Sequence, residues 1–194
     1  FIPFLDTNQN GKKDKSEPQI EGVDVRSSKG GTKEVTTDGS TMYSGLEPFV
    51  SNHFKLNTIS LKRIDWSLEN KSLNIFVNPN QLKVIEIPIN VVGEVAGYVY
   101  KSGIGMGNIK IIIKDDKQQT ITRLISEPDG YFSFLGLKSG AYTAQVDPNQ
   151  IDELKLESTK TFYNFNIVNT KNGDYMDNLE FTLRSMGEND MLTK

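Results

Sequence analysis

Phe162-Tyr163-Asn164-Phe165-Asn166-Ile167-Val168 alternates along its whole length. Phe162, Asn164, Asn166 and Val168 fall on one side, and Tyr163, Phe165 and Ile167 on the other. A period of two marks an extended strand with one buried face, here the Tyr163, Phe165 and Ile167 face. The same reading works outward along the chain. Short runs rich in Val, Ile, Tyr, Phe and Thr predict strands over residues 22–27, 73–77, 82–89, 95–100, 108–114, 120–126, 131–134, 141–147 and 179–183. Gly, Asn, Asp and Pro separate them, which is the strand-and-turn signature of an all-β sandwich. Helical pattern is confined to two short stretches, 148–156 and 59–66, each read as a helical turn.

An internal repeat sets the organisation. Gly22-Val23-Asp24-Val25 leads through a polar stretch to Thr37-Asp38-Gly39, then Tyr43-Ser44-Gly45-Leu46. Gly107-Asn108-Ile109-Lys110-Ile111 leads to Pro128-Asp129-Gly130, then Phe134-Leu135-Gly136-Leu137. The Asp-Gly pairs and the Gly-Leu pairs are both 91 positions apart. A strand follows in each copy, at Phe54-Lys55-Leu56 and at Tyr142-Thr143-Ala144-Gln145-Val146. The expectation is two modules, 1–92 and 93–185, joined by a short stiff connection, and a polar tail over 186–194.

Composition narrows the function classes. The chain has 194 residues, 36% of them apolar, with a net charge of −3. Lys and Arg form no dense block, so nothing points to a nucleic-acid partner. No run approaches the roughly 18 apolar residues of a membrane span. There is no Cys, which excludes disulfides, thiolate metal sites and thiol catalysis, and His53 is the single imidazole. Phe1 is not an initiator Met and already lies in strand-like sequence, so the chain reads as a piece of a larger protein whose targeting signals lie elsewhere.

One stretch carries chemistry. Asp6-Thr7-Asn8-Gln9-Asn10-Gly11-Lys12-Lys13-Asp14-Lys15-Ser16-Glu17 fits D-x-[DN]-x-[DN]-G-x5-E at each specified place. Calcium takes six to eight hard oxygens. Asp6, Asn8 and Asn10 would give side-chain oxygens, Lys12 its backbone carbonyl, Asp14 an oxygen directly or through water, and Glu17 two oxygens. Gly11 permits the turn around the ion. The competing reading is a plain polar turn, since Asp, Asn and Gly are common in turns. Lys13 stands where paired EF-hands carry an apolar residue, and Pro18 follows Glu17 with no exiting helix. The loop is therefore expected to join strands and hold one structural Ca2+. Lys12, Lys13 and Lys15 offset the three carboxylates, so the predicted affinity is modest, about 10⁻⁴ M or somewhat tighter.

The run Asp6-x-Asn8-x-Asn10-Gly11-x-x-Asp14-x-x-Glu17-Pro18-x-Ile20-x-Gly22-Val23-x-Val25 resembles the opening of the calcium-binding Cna-B/SdrD-like B-type repeats of bacterial surface adhesins. The second module resembles a carboxypeptidase regulatory-like domain, on Gly97-x-Val99, Ile109-x-Ile111, Asp129-Gly130-Tyr131-Phe132-Ser133-Phe134, Gly136-Leu137 and Gly140-Ala141-Tyr142. Together the two resemblances cover most of residues 4–147. They imply two tandem prealbumin-like (transthyretin/Ig-like) β-sandwiches without catalysis. The implied role is stalk, spacer or adhesion module on a bacterial surface or outer-membrane protein, with an extracellular, cell-surface or periplasmic location. Ser40-Thr41-Met42 replaces the usual aromatic after Asp-Gly in module one, so that strand is expected to be irregular. Lys101-Ser102-Gly103-Ile104-Gly105-Met106-Gly107 has no carboxylate, so no matching calcium site is expected in module two. Some B-type modules carry Lys–Asn isopeptide bonds, but no candidate pair stands out here.

Other features have plainer readings. Gly103-x-Gly105-x-Gly107 is followed by the strand-like Ile109-Lys110-Ile111-Ile112-Ile113 rather than a helix, so it predicts a tight connection and not a phosphate loop. Ser51 and His53 lack the orienting acid of a nucleophilic site, and His53 is read as a surface residue. Trp66 with Arg63 and Asp65 could form a sugar-stacking platform, although Trp is more often core in a sandwich. Asp115-Asp116 and Asp152-Glu153 read as turn residues. The functional expectation is a non-catalytic spacer or adhesion module working with the rest of its parent protein. The alternative is a carbohydrate- or protein-binding accessory module of a surface protein or of an enzyme.

Overall fold

The computed structural model describes residues 1–58 and 61–187. The described chain gathers into two compact units. One comprises Phe1–Val92 with Asn169–Asn172, and the other Gly93–Val168 with the described residues from Gly173 onward.

The first unit contains β1 (Ile2–Leu5), β2 (Asp24–Ser27), β3 (Thr32–Val35), β4 (Thr41–Ser44), β5 (Ser51–Asn57), β6 (Trp66–Leu68), β7 (Ser72–Phe76) and β8 (Glu86–Val91). They form two three-stranded sheets, β1-β8-β6 and β2-β5-β7, and a hairpin β3-β4. Strand alternation drives the layering. On β5, Asn52, Phe54 and Leu56 turn inward while Ser51 and Lys55 are exposed. Phe54, Leu56, Val25 and Ile75 from one sheet share a core with Ile87, Ile89 and Leu68 from the other. The Phe54 ring lies 4.8 Å from Phe1 and 5.2 Å from Tyr43. The Tyr43 hydroxyl donates to Val25 O at 3.0 Å and accepts from Ser27 N at 3.1 Å, tying the hairpin to β2.

The second unit contains β9 (Gly93–Lys101), β10 (Ile104–Gly105), β11 (Lys110–Asp115), β12 (Thr120–Ile125), β13 (Tyr131–Leu137), β14 (Gly140–Val146), α1 (Pro148–Glu153), β15 (Leu156–Ser158), β16 (Phe162–Ile167) and β17 (Tyr175–Ser185). One sheet runs β10-β9-β17-β15 with β13 also on β9, and the other runs β12-β11-β14-β16. Val95, Val99, Phe132, Phe181 and Leu183 of the first meet Ile111, Ile113, Ala144, Val146 and Phe165 of the second. On β16, Phe165 and Ile167 are buried and Phe162, Asn164 and Asn166 are exposed, as the alternation requires. The turn of helix expected over 148–156 is α1. The Asp147 side chain accepts from Asn149 N at 3.1 Å, Pro148 supplies a helix-compatible φ, and Ile151 is the buried residue.

The two units repeat one plan. In each, the first and last strands are parallel neighbours: β1 with β8, and β9 with β17. The ladder β2-β5-β7 recurs as β11-β14-β16, and β1-β8-β6 as β9-β17-β15. The Asp-Gly turns match bond for bond. Thr36 N donates to Ser40 O and Gly39 N to Thr36 O, as Glu127 N does to Tyr131 O and Gly130 N to Glu127 O. The units differ in the strands on either side of that turn. The pair β3-β4 stays together, whereas β12 joins β11 and β13 joins β9.

Three expectations need correction. Residues 61–65 form a bend and turn rather than a helix, and Ile59 and Ser60 lie outside the described residues. The strand expected over 82–89 is Glu86–Val91 instead, leaving Leu82 83% exposed. The stretch after Asp38-Gly39, expected to be irregular, forms β4 from Thr41 onward. The polar tail expected over 186–194 has a turn at Met186 and Gly187 and otherwise lies outside the described residues.

Candidate metal centre

Residues 6–17 leave β1 and return beside it. Leu5 N donates to Pro18 O at 2.9 Å and Ile20 N to Pro3 O at 3.1 Å, so β1 lies between β8 and residues 18–20. This return fixes Asp6 and Glu17 at the two ends of the loop. Asp6 also extends the β1–β8 ladder, its N–H donating to Ile89 O at 2.9 Å. Both side chains are withdrawn from water, with Asp6 2% and Glu17 3% exposed.

Backbone amides converge on the acidic oxygens. Asp6 Oδ1 accepts from Asn10 N at 3.1 Å and Oδ2 from Gly11 N at 2.8 Å. Asn8 Oδ1 accepts from Asn10 N and Asn10 Oδ1 from Lys12 N, at 3.1 and 2.7 Å. Glu17 Oε1 accepts from Thr7 N at 2.7 Å and Thr7 Oγ1 at 3.1 Å, and Oε2 accepts from Asp14 N at 3.0 Å. Gly11 holds φ at +75°, the left-handed conformation the chain reversal needs. Burial pushes the Glu17 carboxyl up. The Asp14 and Thr7 hydrogen bonds outweigh it and hold the group below its ordinary value.

Among the described residues, none of Asp6, Asp14 and Glu17 forms an ion pair. Lys13 approaches differently: its Nζ donates to the Glu17 backbone carbonyl at 3.0 Å, and its N–H to Glu86 Oε2 at 3.1 Å. Two carboxylates are therefore buried against neutral donors, an arrangement a cation would balance.

The donor set suits a hard cation, but the oxygens do not all face one point. Asn8 Nδ2 and Asn10 Nδ2 both donate to Asp14 Oδ2, at 2.7 and 3.0 Å. Among the described residues, no three Asp, Glu, His or Cys groups stand together as a metal cluster. A half-turn of each Asn side chain would present oxygen in place of nitrogen to the Asp14 side of the loop. In this arrangement backbone and side-chain amides donate to the carboxylate oxygens of Asp6 and Asp14. Lys12 enters through its backbone N–H, which donates to Asn10 Oδ1 at 2.7 Å.

Two contributors lie outside the twelve-residue pattern's required positions. Thr7 occupies a free position of the pattern, and its hydroxyl could have been read as a second donor to Glu17. Glu86 sits 73 residues from Lys13, and only the β1–β8 pairing brings it there.

The remaining sequence candidates are structural. Ser102 and Gly103 have φ of +51° and +78° and turn β9 back into β10, so Gly103-x-Gly105-x-Gly107 is a tight connection. His53 Nδ1 lies 2.9 Å from Asn74 Oδ1 on the neighbouring strand. Trp66 packs against the first unit's core, while Arg63 Nε meets Asp65 Oδ1 at 2.8 Å. Asp115 closes a turn by accepting from Lys117 N and Gln119 N, whereas Asp152 and Glu153 belong to α1.

No protein-family model and no curated protein matches the chain. Among solved structures, the Bacillus anthracis TIE protein is similar over 84% of this chain, at 14% identity and a TM-score of 0.41, and the match spans 30% of that protein. The minor pilin GBS52 of Streptococcus agalactiae is similar over 82% of this chain and 70% of its own, at 9% identity and a TM-score of 0.40. A Klebsiella pneumoniae 5-hydroxyisourate hydrolase is similar over 49% of this chain and 92% of its own, at 15% identity and a TM-score of 0.37.

Proposed function

We propose that this chain is a non-catalytic structural or spacer module of a larger bacterial cell-surface protein, stiffened by one calcium ion in the Asp6–Glu17 loop. The parallel pairing of first and last strands carries this reading. Ile2↔Glu86 through Leu5↔Ile89 join β1 to β8, and Glu94↔Tyr175 through Lys101↔Leu183 join β9 to β17. In a parallel pair, tension entering one strand at its start and leaving the other at its end pulls the strands past each other. All ladder bonds are then stretched together instead of one at a time. A module that spaces or presents another domain under tension gains from that geometry.

The calcium loop sits at the end of the first such ladder. Asp6 continues it, and Lys13 is held to Glu86 at the start of β8. An ion gripping Asp6 and Glu17 would lock β1 against both of its neighbours. The resemblance of residues 6–25 to adhesin B-type repeats supports the surface location and the choice of calcium. Carbohydrate binding at Trp66 finds less support, because that ring packs into the core cluster.

Single-molecule pulling tests the reading, and a chain without Cys accepts engineered thiol anchors at chosen points. Pulled from its two ends, each unit should resist more than the same unit pulled from anchors at the adjacent starts of its paired strands. Equal resistance along both axes would remove the argument for a tension-bearing role.

A further inference from the structure

The outward face of the β13-β9-β17 sheet carries a cluster of tyrosines. Alternation along β9 sends Val95, Gly97 and Val99 inward and Glu94, Tyr98 and Tyr100 outward, with Ala96 between them on that side buried. Residues directly opposite in a ladder share a face. Tyr98 pairs with Tyr131 on β13 and with Glu180 on β17, and Glu94 pairs with Tyr175. One outer surface thus presents Tyr98, Tyr100, Tyr131 and Tyr175 among carboxylates. Tyr175 is 56% and Tyr98 37% exposed.

The rings contact one another. Tyr98 and Tyr100 stack at 5.7 Å with planes 14° apart, and Tyr98 meets Tyr131 at 5.3 Å. Tyr98 is thus flanked by Tyr100 along its own strand and by Tyr131 across the ladder, and a narrow alkyl chain can run along the ring edges.

The charge around the rings has one sign. Glu180 and Asp129 act on Tyr100, and Asp177 and Glu94 on Tyr175. Burial first, and these carboxylates after it, push both phenols up. The Glu94 and Glu180 side chains make no hydrogen bond or ion pair among the described residues. Of the nearby cations, Lys101 lies by alternation on the opposite face, and Arg184 is paired with Glu157 at 2.9 Å. Elsewhere in this unit Lys160 Nζ sits 3.6 Å over the Tyr163 ring, which is the same chemistry already satisfied within the chain.

We propose that this face binds a polypeptide segment bearing lysine or arginine side chains, their stems along Tyr98, Tyr100 and Tyr131 and their cationic heads at Glu94 and Glu180. Acidic groups without partners beside aromatic rings complement a long cationic side chain in both of its parts. The proposal is independent of the calcium loop and of the pulling geometry.

The test is an NMR titration of the full chain with an oligolysine peptide, following the tyrosine ring signals. Oligoglutamate and a neutral cello-oligosaccharide serve as parallel probes. Oligolysine should give saturable shifts at Tyr98, Tyr100 and Tyr131 that weaken with added salt. Glu94→Gln with Glu180→Gln should weaken binding about fivefold, and Tyr98→Ser about two- to fivefold. Both sets of changes lie on an outer face, and the dispersion of core methyl signals checks that the fold is kept. No shift at these tyrosines, shifts indifferent to the Glu→Gln pair, or saturation by the oligosaccharide in place of oligolysine would each overturn the proposal.

Discussion

Asp38 and Asp129 hold the same place in two turns 91 residues apart: each accepts through Oδ1 from the amide two residues on, Ser40 N at 3.1 Å and Tyr131 N at 3.0 Å. The glycine that follows each is left-handed, Gly39 at φ +82° and Gly130 at +88°. Their surroundings differ. A Cβ on Gly130 would meet Val99 O at 2.2 Å, while one on Gly39 would meet Ile20 O at 2.8 Å.

Gly130→Ala should therefore destabilise the second unit by about 2–4 kcal/mol, from backbone strain and overlap with β9 together. Gly39→Ala should cost the first unit less, about 1–3 kcal/mol from strain and a milder overlap with residues 20 and 21. Urea denaturation of the two variants checks the order. A smaller loss in Gly130→Ala would show that the β9 edge yields easily.

Glu17 organises its loop through hydrogen bonds to Thr7 and Asp14. Replacing it with Ala leaves Thr7 N and Asp14 N without their acceptor in a partly buried place. The first unit should lose about 1–3 kcal/mol in the presence of chelator. Thermal unfolding in chelator measures this directly, and an unchanged midpoint would mean that water replaces the carboxylate.

Acid should weaken the first unit through Asp24. Its carboxyl lies 2.6 Å from Lys33 Nζ and 2.6 Å from Arg26 Nε. The Lys33 hydrogen bond, against some burial and helped by Arg26, holds the group below its ordinary value of 3.8. A lowered folded value gives stability that is present above pH 3.8 and is lost as pH falls through the lower folded value. Asp24→Asn should flatten that acid limb. The pair is partly exposed, so the effect at neutral pH stays below about 1 kcal/mol. An acid limb identical in both proteins would assign the loss to other carboxylates.

Phe54 and Phe181 are fully buried, one in each core. Phe54→Ala should cost the first unit about 3–5 kcal/mol, and Phe181→Ala the second unit the same. Chemical denaturation read by probes in each unit separates the two losses.

The all-β architecture was legible wherever one strand face is buried. β16 shows it most plainly and β14 follows the same rule, while β11 was legible as a continuous apolar run, with Ile111, Ile112 and Ile113 all buried. Legibility failed where tertiary pairing overrode pattern. Leu82 and Val84 look like strand residues but stay exposed. The ladder starts at Glu86 and runs through Pro88 to Val91. Ile85 and Ile89 carbonyls face β1, so position 88 points to the other side, and β6 reaches only Ile89–Val91. Pro88 therefore sits where no neighbour needs its missing N–H. The hairpin β3-β4 was hidden because all four residues of β3 are exposed and show no alternation. In the loop, the positions of Asp6, Asn8, Asn10, Asp14 and Glu17 could be read from spacing, because local turn geometry fixes them. The clamp by Glu86 and the tyrosine face could not, since both arise from strands distant in sequence.

The calcium reading meets its most direct test in the fluorescence of Trp66, the chain's single tryptophan, which lies on β6 of the first unit. Unfolding is followed in about 10 mM calcium, roughly a hundredfold above the expected Kd, and again in chelator, for the natural chain and for Glu17→Gln. Binding at that excess contributes about 2.7 kcal/mol, so calcium should raise the natural chain's Trp66 midpoint by roughly 10 °C or more and leave Glu17→Gln nearly unmoved. Coincident midpoints with calcium and with chelator in the natural chain would contradict the account.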